Sequence, residues 1–173
     1  TSGIEDVEIV VSGPYNISGT AALVGASKSY ENMTGETVSQ ENVDTATNEL
    51  VVTGKLAESV GDSDKAEQLV GAVKEQVVEG SDNGKKLTEE EIGNVVDQAA
   101  QEMDVQLSDE DRQEIVDLMD KIKGLDIDVD SLKEQAKDLY DKIDDLGLKL
   151  DWNQEKVQGF FSKLIEFFKN LFS

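Results

Sequence analysis

The chain reads as a mostly α protein, a multi-helix bundle of about six to seven helices with one short amino-terminal β-strand. Three observations predict this. Val, Leu, Ile and Ala recur at helical spacing over most of the 173 residues. A single Pro interrupts them, and hydroxyl or Asp caps followed by Gly stops punctuate the pattern. At 38% apolar residues the chain can bury a core even though 31% of it is charged.

Asp6 to Ser12 alternates around Val7, Ile9 and Val11 and is closed by Gly13-Pro14, the pattern of a strand ending in a turn. No second convincing strand follows, because Leu50-Val51-Val52 sits inside a helical pattern. The strand therefore pairs with another chain or with sequence before Thr1, or else the segment lies extended across helices. Ser18 caps a first helix through about Met33, with Leu23, Ala26, Tyr30 and Met33 on one face and Gly35 as its stop. Ser39 starts a second, running through Val43, Ala46, Leu50 and Leu56 to Val60, with Gly61 following. Ser63 starts a third that places Ala66, Leu69, Val70, Val73 and Val77 on one stripe and ends at Gly80. Ser81 to Lys86 is the expected loop.

Two similar segments follow. Leu87-Thr88-Glu89-Glu90-Glu91-Ile92 and Leu107-Ser108-Asp109-Glu110-Asp111-Arg112 each set an apolar residue before a hydroxyl cap, with carboxylates in the first turn where the helix dipole favours them. Thr88 with Glu91 reads as a capping box, and Leu87 with Ile92 as a hydrophobic staple. The stripes Val95, Val96, Ala99, Met103 and Ile115, Val116, Met119, Ile122 align, which predicts an antiparallel helical hairpin. Asp130 then caps a helix carrying Leu132, Ala136, Leu139, Tyr140, Ile143 and Leu146. Residues 1–80 thus hold the strand and three helices. Residues 87–173 hold the hairpin, the following helix and a carboxy-terminal amphipathic helix, and the two parts make one continuous domain.

Composition excludes several functions. With net charge −22, pI near 4.1 and Arg112 as the one arginine, the chain lacks the basic clusters that phosphate backbones require, which excludes nucleic acid as a partner. Cysteine and histidine are both absent, which removes disulfides, thiolate and imidazole metal sites and His-based triads. No stretch reaches the roughly 20 apolar residues a membrane span needs. No cofactor is implied.

Two chemical candidates have bland alternatives. Asp126, Asp128 and Asp130 alternate like the start of a calcium loop, yet Ser131 and Lys137 stand where that loop needs Gly and a bidentate Glu. An extended connector with solvated aspartates explains them as well. Acidic residues at helical spacing such as Glu110/Glu114 would suit a carboxylate-based hydrolase, but 38 acidic residues generate such pairs by chance.

The last 22 residues differ from the rest. They contain six of the nine aromatic residues, and with three Lys against two Glu they carry +1 while residues 1–151 carry −23. On a helix, Val157, Phe160, Phe161, Leu164, Ile165, Phe167, Phe168, Leu171 and Phe172 share an arc of about 160°. This face, with Trp152 at its start, is expected either to complete the core or to act as an interaction face on a membrane interface or a partner. The acidic body disfavours an anionic membrane, so core completion is the preferred reading.

Gly3-Ile4-Glu5-Asp6-Val7, Pro14-Tyr15-Asn16-Ile17-Ser18-Gly19-Thr20-Ala21-Ala22-Leu23 and Asn48-Glu49-Leu50-Val51-Val52-Thr53-Gly54-Lys55-Leu56-Ala57 resemble the carboxy-terminal half of the YpuA-like proteins, an exported group of unknown function from Gram-positive bacteria. Ser131 to Tyr140 and the Phe-rich end are similar too. The resemblance implies a signal peptide and an amino-terminal region before Thr1, a secreted or cell-envelope location, and no catalytic residue. The resulting expectation is a non-enzymatic domain acting through protein contacts, either with a partner protein or by self-association through Asp6 to Ser12. A membrane-interface protein using its last helix is the alternative.

Overall fold

The computed structural model describes residues 2, 8–10, 12, 17–82, 86–125 and 127. They fall within one unit, Thr1–Leu132; the second unit, Lys133–Ser173, lies outside the described residues. Among the described residues there are five helices: α1 (Gly19–Thr34), α2 (Gln40–Val60), α3 (Ser63–Asp82), α4 (Glu89–Glu102) and α5 (Asp109–Ile122). The mostly helical expectation holds. The helices expected after Asp130 and over the aromatic end lie outside the described residues.

The amino-terminal strand is corrected. Glu8, Ile9, Val10 and Ser12 are exposed and in no strand, and none of the described residues is in one. A strand is stabilised by ladder hydrogen bonds and cross-strand pairs, and the described residues offer no second strand to supply them.

Local chemistry sets the helix ends. Ser18 accepts from the Ala21 N–H at 3.2 Å, and Gly35 closes α1 in the left-handed region at φ 76°, its N–H donating to the Glu31 carbonyl. Gly61 closes α2 in the same way at φ 75°. Thr88 with Glu91 and Ser108 with Asp111 form full capping boxes at α4 and α5. α3 continues to Asp82, two residues past Gly80, because a helical glycine costs only about 1 kcal/mol and Gly80 is buried in the bundle.

Polar pairs show how the helices run. Asn48 with Lys121, Lys55 with Glu114 and Ser59 with Asp111 join α2 to α5, one number falling as the other rises, so these helices are antiparallel. Arg112 with Asp97, and the Lys123 ammonium with the Leu87 carbonyl, fix the α4/α5 hairpin in the same sense. Glu49 meets Lys74 at 2.5 Å across α2 and α3, which the tight Gly61–Asp62 turn joins. With α3 also packed on α4, the four helices α2 to α5 close a ring, and α3 and α5 meet across its middle. Leu69, Val73, Ile92, Val96, Ile115, Leu118, Met119 and Ile122 are sealed inside, each large side chain contributing roughly 2 kcal/mol of burial. Leu87 and Ile92, the expected staple, are both buried.

Arg112 also accounts for Gly93. A Cβ on Gly93 would run into the guanidinium, which lies flat over α4 and holds Asp97 through Nε at 2.7 Å and Nη2 at 2.9 Å. The hydrogen bonds to Asp97 raise the pKa of Arg112.

Three burial expectations change. Met33 leaves the α1 stripe and is 85% exposed, whereas Ser27 is the buried residue of α1. In α2, Leu50 is exposed and Val52 takes its place in the core beside Ala46 and Leu56. In α3, which packs on α2, α4 and α5, Gln68, Glu75 and Gln76 are buried with the apolar stripe.

The α5 cap predicts an acid response. Asp111 Oδ2 accepts from the Ser59 hydroxyl at 2.8 Å, the Ser108 hydroxyl at 2.5 Å and the Ser108 N–H at 3.2 Å. Burial pushes its pKa up, but the Ser108 and Ser59 donors outweigh burial and hold the carboxyl below the ordinary aspartate value. A depressed carboxylate contributes stability above its unfolded pKa, near ~3.9, and that stability is lost as pH falls through the folded value. Asp111→Asn is therefore expected to cost on the order of 1 kcal/mol at neutral pH, the usual worth of a cap, and progressively less below about pH 4. Urea midpoints of both proteins across that range test this, and a pH-independent gap would refute it.

Candidate interaction surface

The residues that drew attention in the sequence lie mostly elsewhere. Trp152, Val157, Phe160, Phe161, Leu164, Phe167, Phe168, Leu171 and Phe172, and the aspartates Asp126, Asp128 and Asp130, are outside the described residues. Of Asp6 to Ser12, the described Glu8, Ile9, Val10 and Ser12 are exposed. Among the described residues no group of three or more Asp or Glu is arranged to hold a metal ion, and no helix is long and apolar enough to cross a membrane. Glu114 of the Glu110/Glu114 pair is bonded to Lys55, and this hydrogen bond raises the lysine pKa. The pair joins α5 to α2.

The structure instead draws attention to the first third of the chain. Among the described residues the large apolar side chains that stay exposed are Ile9, Val10, Ile17, Val24, Met33, Leu50 and Val51, and none of them belongs to α3, α4 or α5. Single exposed apolar residues are ordinary, and among the described residues these gather toward one end. Charge is sparse on α1, while Glu41, Asp44 and Glu49 follow on α2. Residues 17–38 carry only Lys28, Glu31 and Glu36, whereas residues 86–125 carry twelve acids against four cations. Lys28 is bonded to Glu31 at 2.7 Å, and this hydrogen bond is the main cause that lowers the Glu31 pKa, so the α1 surface is close to neutral.

α1 reaches this surface by lying along α2. Gly19 stands against the Leu50 side chain, and a Cβ there would meet both its methyls at 3.9 Å. At the other end Tyr30 donates to Glu36 at 2.7 Å and the Val38 N–H donates to Glu31 at 3.2 Å, which fixes the turn into α2. Val24 and Val51 face outward from the two helices. Neither stood out in the sequence, where each reads as an ordinary member of a helical run; the signal was that neither falls on the expected stripe.

A second feature is buried and polar. Both amide atoms of Gln76 lack a hydrogen-bond partner at 1% exposure, as does Nε2 of Gln68 on the same helix. Amides of this kind do not titrate at accessible pH and supply no nucleophile, so they bear on stability rather than on catalysis.

A family model described as "Protein of unknown function (DUF1002)" matches residues 1–139. The chain belongs to the DUF1002 family. The DUF1002 chain is also similar to "Uncharacterized protein YpuA" of Bacillus subtilis (strain 168), with 34% identity over 135 residues, covering 78% of this chain and 45% of the relative. It therefore spans less than half the length of that relative. No solved structure matches the DUF1002 chain. These likenesses agree with the resemblance read from Gly3 to Val7, Pro14 to Leu23 and Asn48 to Ala57.

Proposed function

We propose that this DUF1002 chain is a non-enzymatic, exported domain that acts at the cell envelope through protein contacts made by α1 and the outer side of α2. The observation that carries the reading is that, among the described residues, the exposed large apolar side chains fall within residues 9–51, with α1 itself carrying only the paired Lys28 and Glu31 as charges. Protein interfaces favour such a surface, since desolvating apolar groups is favourable and desolvating unpaired carboxylates is costly. The acidic surface of α4 and α5 suits solubility and the exclusion of anionic partners. Export and envelope location rest on the resemblance to the YpuA-like proteins.

Site-directed photo-crosslinking in the cells that make the full-length protein tests the reading. A photoreactive residue at Met33, Val24 or Val51 is expected to give a discrete protein adduct in the envelope or secreted fraction, and one at exposed Gln113 on α5 is not. Adducts of equal yield from Gln113, or none from the three apolar positions, would count against it.

A further inference from the structure

We propose that α1 is a detachable strap, which undocks from α2 and exposes an apolar strip on both helices while the α2 to α5 bundle stays folded. This holds whether or not the surface described above has a partner. Its first ground is closure: α2, α3, α4 and α5 complete a ring with its own sealed core, and α1 is packed on the outside of α2. Its second is how little α1 buries. The one buried residue of α1 is Ser27, whose hydroxyl donates to the Leu23 carbonyl at 2.9 Å within the same helix, while Leu23, Ala26 and Tyr30 are half-buried.

Nor does the sequence of α1 hold a helix by itself. Gly25 lies in its interior with Thr20, Val24, Ser29 and Asn32 around it, all modest or poor helix formers. Its first turn has no acid and its last turn no base to complement the dipole. Isolated helices of about this length are marginal in water, so α1 persists because it is docked, and the docking is shallow. Segments with few buried apolar contacts open at free energies far below global unfolding.

The hinge is built in. Gly35 at φ 76° begins the turn into α2, and Glu31, through the Val38 N–H, ties the end of α1 to that turn. Undocking about this point frees Gly19 from Leu50 first. What it uncovers is the side of α2 that carries Leu50, a face distinct from the one where Asn48, Lys55 and Ser59 reach α5.

Amide hydrogen exchange on the full chain decides it. Amides of residues 24–32 are expected to exchange at least about 100-fold faster than those in the middle of α3 and α5, because they need only local opening. Gly25 supplies the variants, since a Cβ there meets nothing within 4 Å. Gly25→Ala is expected to slow α1 exchange about fivefold through helix propensity alone and to leave α3, α5 and the melting temperature unchanged. Gly25→Pro is expected to abolish α1 protection and to leave α3 to α5 protected. Exchange of α1 at the rate of α5, an equal shift of all helices by Gly25→Ala, or loss of protection across the bundle in Gly25→Pro would each overturn the strap.

Discussion

Replacing Gln76 by leucine is expected to stabilise the protein, raising the melting temperature by about 5 °C. Gln76 is 1% exposed on the central helix, and neither its Nε2 nor its Oε1 has a hydrogen-bond partner. A buried polar group left unmade costs about 1–3 kcal/mol in lost hydration, and an apolar residue of similar volume removes that cost. For a chain of this size each kcal/mol moves the midpoint by roughly 2–4 °C. Overpacking works against the gain, since leucine is branched where glutamine is not, but such strain in a volume-conserving swap usually stays below about 1.5 kcal/mol. Gln76→Ala separates the two effects: it also removes the orphaned amide but leaves a cavity, so it should fall below the leucine variant. Thermal melts of the three proteins give the order, and a leucine variant less stable than the parent would mean that the amide is satisfied in solution.

Gln76 also shows where sequence reading stops. Its helix was placed correctly from Ala66, Leu69, Val70, Val73 and Val77, all of which are buried. The sequence marks one apolar stripe and assigns the polar residues to solvent, which suits a helix with neighbours on one side. α3 packs on α2, α4 and α5, and its buried surface extends beyond that one stripe to Gln68, Glu75 and Gln76. The same reasoning explains α2, where Val43, Ala46, Leu50, Leu56 and Val60 were read as one face. α2 packs on α1 along one side and on the bundle along another, so that a single stripe merges two, and Val52 is buried while Leu50 is not.

Helix ends were far more legible, because caps are short-range chemistry. Ser18, Gly35, Gly61 and the Thr88/Glu91 box act within a few residues, and the local pattern contains all the partners. The exposed apolar residues of α1 and α2 are hardly legible at all. Val24 and Val51 have no unusual neighbours in the chain; their exposure exists only because α1 lies along one side of α2 and nothing described covers the other. Composition pointed to the aromatic end instead, since clustering is visible in a sequence and exposure is not.

The largest destabilisation is expected from Ile115→Ala, and its contrast with Leu23→Ala tests how the molecule divides. Ile115 is fully buried on α5, the helix that packs on α2, α3 and α4. Truncation removes the transfer free energy of three carbons and leaves a cavity between elements held by capping boxes and interhelical ion pairs, which limits collapse. The cost should be about 3–4 kcal/mol, or roughly 10 °C in melting temperature. Leu23 has the same number of side-chain carbons but is only half-buried, so its truncation loses less transfer energy and opens a gap that water can fill. If α1 were an integral layer of the core, Leu23→Ala would still lower the global urea midpoint by a sizeable fraction of the Ile115 effect. A strap behaves otherwise: because the bundle unfolds after α1 has already left, weakening the α1 contact should leave the global midpoint within about 0.5 kcal/mol of the parent and speed α1 exchange alone. Equal losses from the two truncations would place α1 inside the cooperative unit, and a small loss from Ile115→Ala would mean that the ring of α2 to α5 is not the core.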